Sequence, residues 1–179
     1  MRRAWIVVCA LVLVTVTSEP VRASTLRSYP GRACVFYAPF AGIGHVGWAV
    51  LAENGQWYGG ATESTDGWPL PPGRSWLAGP YDWPRLLEVF RVKRKFSPYR
   101  AFRCRNVRSQ GSAAALARFR SLVDVPYHVF TNNCLTRTVR TLRAYSSWFG
   151  GMHSGVGKTP WEYYRSGLSA YGWEPSRRL

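Results

Sequence analysis

Acidic residues and histidines are scarce in this chain, which narrows the functions open to it. Only nine of the 179 residues are Asp or Glu, against 24 Lys and Arg, so the formal net charge is +15. Such a balance favours encounter with polyanions such as cell-wall polymers, anionic membrane surfaces or nucleic acid, although a solvated basic surface gives the same count. The four cysteines and three histidines have no zinc-ligand spacing. We therefore expect no metal and no cofactor.

Long apolar runs are also missing, apart from one near the start. Residues 4–16 ("AWIVVCALVLVTV") follow two arginines and are too few to cross a bilayer, which needs about twenty. A cationic start, a short apolar core and small residues up to Ala23 are typical of a secretory signal peptide. The sequence predicts that residues 1–23 are removed and that residues 24–179 are exported without an integral membrane span.

Repeats, charge blocks and linkers are absent as well, which favours a single domain over residues 24–179. Alternating or continuous apolar runs predict strands, and 3.6-residue periodicity predicts helices. We expect an α+β fold in which a small antiparallel sheet packs against helices. The predicted strands are 34–40, 45–52, 57–63, 86–96 and 102–107, the helices are 112–123 (N-cap Ser112), 133–145 and a short one from Pro160, and residues 64–84 form a loop. In the helix 133–145 we expect Arg137, Arg140 and Arg143 to form a solvated face.

Three cysteines remain beyond the predicted signal peptide, and export would place them in an oxidising compartment. Cys34 and Cys104 both lie in strand-like segments with aromatic neighbours. In the second segment Arg103 and Arg105 alternate with Cys104, which predicts that the cysteine faces inward. We expect a Cys34–Cys104 disulfide, which leaves Cys134 free.

One glycine-rich stretch resembles a phosphate-binding loop but does not fit it. In "GGMHSGVGKTP" (150–160), Met152 stands where the loop requires a glycine, and a proline follows Thr159. We expect no nucleotide.

Cys134 occupies an unusual position, in the first turn of a predicted helix. Asn132 or Asn133 is a suitable N-cap, so unpaired backbone N–H groups and the positive end of the helix dipole would face the sulfur. That setting favours a thiolate, and the same groups could hold an oxyanion. The alternative is a buried structural cysteine.

A nucleophilic cysteine needs a base, and three histidines are candidates. His45 begins a strand, where a rigid element would fix its ring. His128 lies in the extended approach to Cys134, and His153 lies in a glycine-rich loop that we expect to be exposed. We favour His45, with a strand histidine bonded to a carbonyl as the alternative.

The stretch "GHVGWAVLAENGQWYGGATES" (44–64) resembles the histidine strand, hairpin and acidic return strand of CHAP-type amidases and NlpC-type cell-wall peptidases. In those families the cysteine precedes the histidine. Here the histidine precedes "NNC", an order similar to the circularly permuted branch that includes lecithin:retinol acyltransferase-like proteins. The likeness covers about 35 residues in two blocks. It implies a permuted papain-like fold in which Cys134 is the nucleophile, His45 the base and Glu63 the orienter.

Strand geometry raises an objection to Glu63. A two-residue turn at Asn54-Gly55 would pair residue 45 with residue 64 and turn Glu63 to the opposite face. A three-residue turn that includes Gln56, or a bulge at Gly59-Gly60, would return Glu63 to the face of His45. Otherwise Thr62 or Ser64 takes its place.

These observations together favour a secreted cysteine hydrolase that cleaves amide bonds. Its charge and export suggest peptidoglycan or another anionic envelope polymer as its partner. The alternatives are an acyltransferase of the lecithin:retinol type, a non-enzymatic module that binds anionic polymers through loop 64–84, and a basic ribonuclease that uses His45 and Glu63. The sequence leaves the oligomeric state open.

Overall fold

The computed structural model describes residues 31–63, 74–93 and 98–179, so the predicted signal peptide lies outside the described residues. Within them the chain forms one antiparallel sheet of six strands in the order β4-β3-β2-β1-β5-β6. The strands are β1 Gly31–Ala38, β2 His45–Leu51, β3 Trp57–Glu63, β4 Arg74–Tyr81, β5 Ala101–Val107 and β6 Arg177–Arg178. The predicted α+β class is confirmed.

Helices cover both faces of this sheet. They are α1 Trp83–Lys93, α2 Ser112–Val123, α3 Cys134–Tyr145, α4 Pro160–Glu162 and α5 Leu168–Ala170, with a 3₁₀ turn at Ser147–Phe149 and a π-helical turn at Tyr163–Gly167 between α4 and α5. We call residues 160–170 the C-terminal helical segment. Among the described residues, every helix is too short or too polar to cross a bilayer.

The hydrophobic core is split into two parts by the sheet. Trp48 and Val35 belong to the part that α2, α3 and the C-terminal helical segment cover. Phe36 and Phe90 belong to the other part, beneath α1. Because successive strand residues point to opposite faces, β1 and β2 are buried on both sides and read as continuous apolar runs.

The predicted disulfide is present in the second part of the core. Cys34 and Cys104 lie directly opposite each other in the β1–β5 register and are bonded, joining residues 70 positions apart. Cys134 is free, as expected, and buried.

Two predictions around α1 are wrong. Residues 86–93 form a helix rather than a strand, because Leu86 and Phe90 are spaced one helical turn apart and both are buried. Arg91 and Lys93 alternate with Phe90 and Val92, and this alternation imitates that of a strand. Residues 74–81, which we expected to be loop, form β4 at the edge of the sheet. The remaining residues of these two segments, 64–73 and 94–96, lie outside the described part of the chain.

The hairpin between β2 and β3 also differs from the two-residue turn. Its loop consists of three residues, Glu53–Gly55, closed by a hydrogen bond from the Ala52 amide to the Gln56 carbonyl. Gly55 has φ +82°, a conformation that suits glycine and completes a three-residue hairpin loop. This register pairs Leu51 with Trp57 and Trp48 with Gly60. Continued toward the strand ends, it brings His45 opposite Glu63.

The same loop caps a helix. The Glu53 carboxylate accepts hydrogen bonds from the amide and the hydroxyl of Ser112. Ser112 is therefore the first residue of α2 rather than its N-cap, which is Gly111. The Ser112 hydroxyl is committed to Glu53, so a residue from the hairpin does the capping.

Candidate active site

The N-terminus of α3 is built as the sequence predicts. Asn133 is the N-cap, with its side chain accepting from the Thr136 amide while Thr136 Oγ1 accepts from the Asn133 amide, both at 2.9 Å. Cys134 is the first helical residue and is 5% exposed. The amides of Cys134 and Leu135 donate to no acceptor among the described residues, as is usual for the first turn of a helix. Two N–H groups therefore remain available beside the sulfur.

His45 begins β2 and is 3% exposed. It follows Gly44, whose φ of +77° suits glycine and where a Cβ would lie 2.5 Å from the Tyr37 ring. The tight turn places His45 Nε2 3.3 Å from Glu63 Oε2 and 3.1 Å from the Tyr99 hydroxyl. Nδ1 is thus the ring nitrogen that these two groups leave available, and the imidazole lies close enough to the Cys134 sulfur for each group to shift the pKa of the other.

Glu63 is held in place by two residues that sequence reasoning did not identify. Its Oε1 accepts from Trp76 Nε1 at 2.9 Å and from the Tyr99 hydroxyl at 3.1 Å. Trp76 comes from β4, opposite Ala61 in the β3–β4 register, and Tyr99 precedes β5. Neither had a local sequence signal, because their relation to Glu63 exists only once distant strands have paired.

The electrostatics of the site favour an ion pair between Cys134 and His45. Burial lowers the pKa of His45, but the charge of Cys134, its hydrogen bond and the Glu63 carboxylate outweigh this and raise that pKa to about 9. Burial and the Glu63 charge raise the pKa of Cys134, but His45 and the Val46 amide outweigh them and lower it. Each partner therefore stabilises the ionised form of the other.

The Val46 amide can act on Cys134 because β2–β3 pairing stops before it reaches Val46. The β2–β3 ladder runs from Leu51–Trp57 to Trp48–Gly60. Val46 lies beyond its last pair, and its amide favours the thiolate and so lowers the pKa of Cys134. One strand end thus supplies both an N–H donor and, in His45, the base.

A buried cation lies one helical turn beyond the thiol. Arg137 was expected on a solvated face with Arg140 and Arg143, but it is only 1% exposed. That prediction is wrong because the loop before α3 folds back over this side of the helix. Arg137 donates to Val125 O at 2.6 Å and to Thr62 Oγ1 and Asn132 Oδ1, both at 3.3 Å.

Arg137 has only neutral hydrogen-bond partners among the described residues. Burial, the dominant effect, lowers the pKa of Arg137; Tyr127 opposes this, the charge of Arg140 adds to it, and the Cys134 charge, the smallest of these effects, raises the pKa. From Glu63 through His45 and Cys134 to Arg137, the ionised groups therefore alternate in sign. Arg137, which the sequence predicts to be exposed, is the last of these four charged groups.

The two asparagines before Cys134 have different structural roles. Asn133 caps α3, and its amide donates to Val129 O. Asn132 instead donates to Pro126 O at 2.7 Å and accepts from Arg137. Both side-chain amides thus hold the loop before α3, so the donors left for an oxyanion are backbone groups.

The remaining candidates lie apart from these groups. Thr62 bonds to Ser75 and Arg137, and Ser64 lies outside the described residues. His128 and His153 are exposed, as we expected for His153, and their ring nitrogens bond to residues of their own loops. Across the described ranges, no group of three or more His, Cys, Asp or Glu side chains is arranged to hold a metal ion.

Comparison with known protein families finds no family model that matches this chain, and searches of curated proteins and of solved structures also find no match.

Proposed function

We propose that this chain is a cysteine hydrolase that cleaves amide bonds, with Cys134 as nucleophile, His45 as base and Glu63 as the residue that orients His45. One observation carries the proposal: a free cysteine at a capped helix N-terminus interacts electrostatically with a buried histidine, which contacts a carboxylate. An inert structural cysteine would need neither a histidine partner nor an orienting carboxylate. A nucleophile, its base and a third group in this order are the usual arrangement for covalent catalysis.

The groups supply each step of such a reaction. The Cys134 thiolate attacks the carbonyl carbon, and a carbon–sulfur bond forms as the carbonyl oxygen becomes an oxyanion. The amides of Cys134 and Leu135 stabilise that charge. The His45 imidazolium donates its proton to the amide nitrogen as the carbon–nitrogen bond breaks. His45 then removes a proton from water, which attacks the thioester and releases the acid and the Cys134 thiolate.

Orientation of His45 is the role of Glu63 and its supports. With Nε2 directed at Glu63, the ring cannot turn that nitrogen to the sulfur, and the carboxylate stabilises the imidazolium. Trp76 and Tyr99 fix the carboxylate itself. The order His45, Glu63, Cys134 along the chain and a capped helix packed on an antiparallel sheet support a permuted papain-like fold.

Compartment and substrate class follow from features outside the site. The signal-like residues 1–23 and a disulfide support export. The net charge of +15 supports an anionic polymer as partner, and peptidoglycan peptides supply amide bonds in that compartment. We propose an envelope peptide as the substrate.

The experiment that tests the proposal is iodoacetamide labelling of the native protein from pH 4 to 9, with the labelled residue identified by peptide mass spectrometry. Because the pKa of Cys134 is lowered, its labelling rate should rise with an inflection below about 8.5, the value of an ordinary thiol. In His45→Ala the inflection should move upward. His153→Ala is the matched control, and its profile should equal that of the parent.

Resistance of Cys134 to labelling until the protein unfolds would overturn the proposal and leave the binding-module alternative. An activated thiol with no amidase activity on envelope peptides, but with transfer of acyl groups from lipid esters, would instead identify the acyltransferase alternative. A ribonuclease would retain its activity in Cys134→Ala.

A further inference from the structure

A cleft of about 350 Å³ lies between the C-terminal helical segment and the C-terminal tail. This volume falls within the range of small-ligand pockets, roughly 300–1,000 Å³. The cleft is lined by Arg103, Trp161, Tyr164, Arg165, Ser169 and Ser176. The lining contains two guanidinium groups and three hydroxyls and has no carboxylate, so its chemistry suits an anion.

The first guanidinium contributes charge. Arg103 was expected on an exposed face of β5 but is only 7% exposed, because the C-terminal segments fold over it. All its partners among the described residues are uncharged: the carbonyls of Tyr164, Arg165, Trp173 and Glu174 and the hydroxyl of Ser169. A buried charge without an opposite charge is costly. An anion in the cleft would offset that cost.

The second guanidinium contributes hydrogen-bond donors. Arg165 is exposed and stacks over the Trp161 ring at 5.3 Å. It has no acidic partner among the described residues. Because the stack holds the plane of the guanidinium, its N–H groups are prearranged for the two oxygens of one anion.

A hydroxyl donor completes the lining. Tyr164 and Ser176 share a hydrogen bond of 2.7 Å, which uses one of their two hydroxyl hydrogens and leaves the other for a ligand. Burial raises the pKa of Tyr164 to about 12, although Ser176 and the nearby charge of Arg103 oppose the rise. The phenol therefore keeps its proton at neutral pH.

The cleft adjoins β1 and the turn that leads into His45. Tyr37 stacks on Tyr164 at 4.9 Å and contacts Trp161 at 5.5 Å between ring centres. The Trp161 amide donates to the carbonyl of Ile43, two residues before His45. A ligand group held in the cleft would thus lie beside the turn that leads into His45.

We propose that this cleft binds an oxyanion, the phosphate or carboxylate group of an anionic polymer, and anchors that polymer beside Cys134. The anchoring role rests on the proposed hydrolase function, whereas the binding of the anion does not.

The test is a titration of the Cys134→Ala protein with inorganic phosphate and, separately, with acetate at constant ionic strength. Binding is followed by the NMR shifts of the amides of residues 160–178. We expect saturable shifts confined to the cleft. Arg165→Gln should weaken binding at least about tenfold, because it removes a charge-assisted pair of hydrogen bonds. Arg118→Gln on α2 makes the same charge change at an exposed site and should have no effect.

Stronger binding of phosphate would identify a polymer phosphate as the ligand group, and stronger binding of acetate a peptide or sugar carboxylate. Shifts that do not saturate would overturn the proposal. Equal losses in Arg165→Gln and Arg118→Gln would also overturn it, since they would mean that net charge alone attracts the anion. Because the titrated protein lacks the thiol, its result is separate from that of the iodoacetamide experiment.

Discussion

Replacement of Cys134 by alanine should lower the pKa of a different residue, His45. The folded protein raises that pKa from 6.5 to about 9, which corresponds to about 3 kcal/mol in favour of the imidazolium. Burial opposes this rise in pKa, so the interactions that favour the imidazolium are together stronger than the net value. Cys134 supplies the two largest of them. Without the sulfur, we expect the pKa of His45 to fall by at least about one pH unit.

The measurement is an NMR titration of the histidine ring carbons from pH 5 to 10 in the parent and in Cys134→Ala. His128 and His153 lie apart from the site and serve as internal controls whose signals should be the same in the two proteins. In the parent, His45 should be the ring that titrates near pH 9. Its curve alone should shift toward lower pH in the variant.

Two results would refute the reasoning. A parent His45 that titrates near 6.5 would mean that no thiolate lies beside it at neutral pH. An unchanged curve in Cys134→Ala would mean that Glu63 alone sustains the imidazolium and that the cysteine is a neutral core residue. A confirmed ion pair also predicts the alkaline limit of hydrolysis. The imidazolium must protonate the leaving nitrogen, so activity should decline as the pH rises through about 9.

Three further predictions concern the surroundings of the pair. Glu63→Gln should lower the pKa of His45 in the same titration, and an unchanged value would exclude an orienting role. Tyr99→Phe should slow thiol labelling at pH 7 several-fold, with a stability loss of about 1 kcal/mol in urea unfolding; an unaltered labelling rate would make the hydroxyl merely structural. Arg137→Met should lower the free energy of unfolding by at least about 2 kcal/mol, because three acceptors lose their donor. Arg140→Met should lower it little, and equal losses in the two variants would contradict the structural role of Arg137.

The elements with strong local signals could be predicted from the sequence. The Asn133 cap places Cys134 at the first residue of α3. The inward-facing cysteines of two strand-like segments predict the disulfide. The cap depends on interactions within a few residues. The disulfide depends on which two of three cysteines pair, so few pairings are possible.

What the sequence did not reveal depends on segments far apart in the chain. Arg103 and Arg137 have the spacing of solvent-facing residues, and they are buried because later or earlier segments fold over them. Trp76 and Tyr99 reach Glu63 only through strand pairing. The prediction for α1 was wrong for another reason: Arg91 and Lys93 alternate with Phe90 and Val92 as in a strand, while Leu86 and Phe90 have the spacing of a helix.

The number of residues in the β2–β3 hairpin loop decides whether Glu63 lies on the same side of the sheet as His45. Because successive strand residues face opposite sides, deleting or inserting one residue between Leu51 and Trp57 would move Glu63 to the other side from His45. Changes of two residues would keep the side and only displace the contact. The bond from Glu53 to Ser112 ties the loop to a helix and resists either change. Length variation in this loop should therefore occur in even steps wherever the thiol remains active.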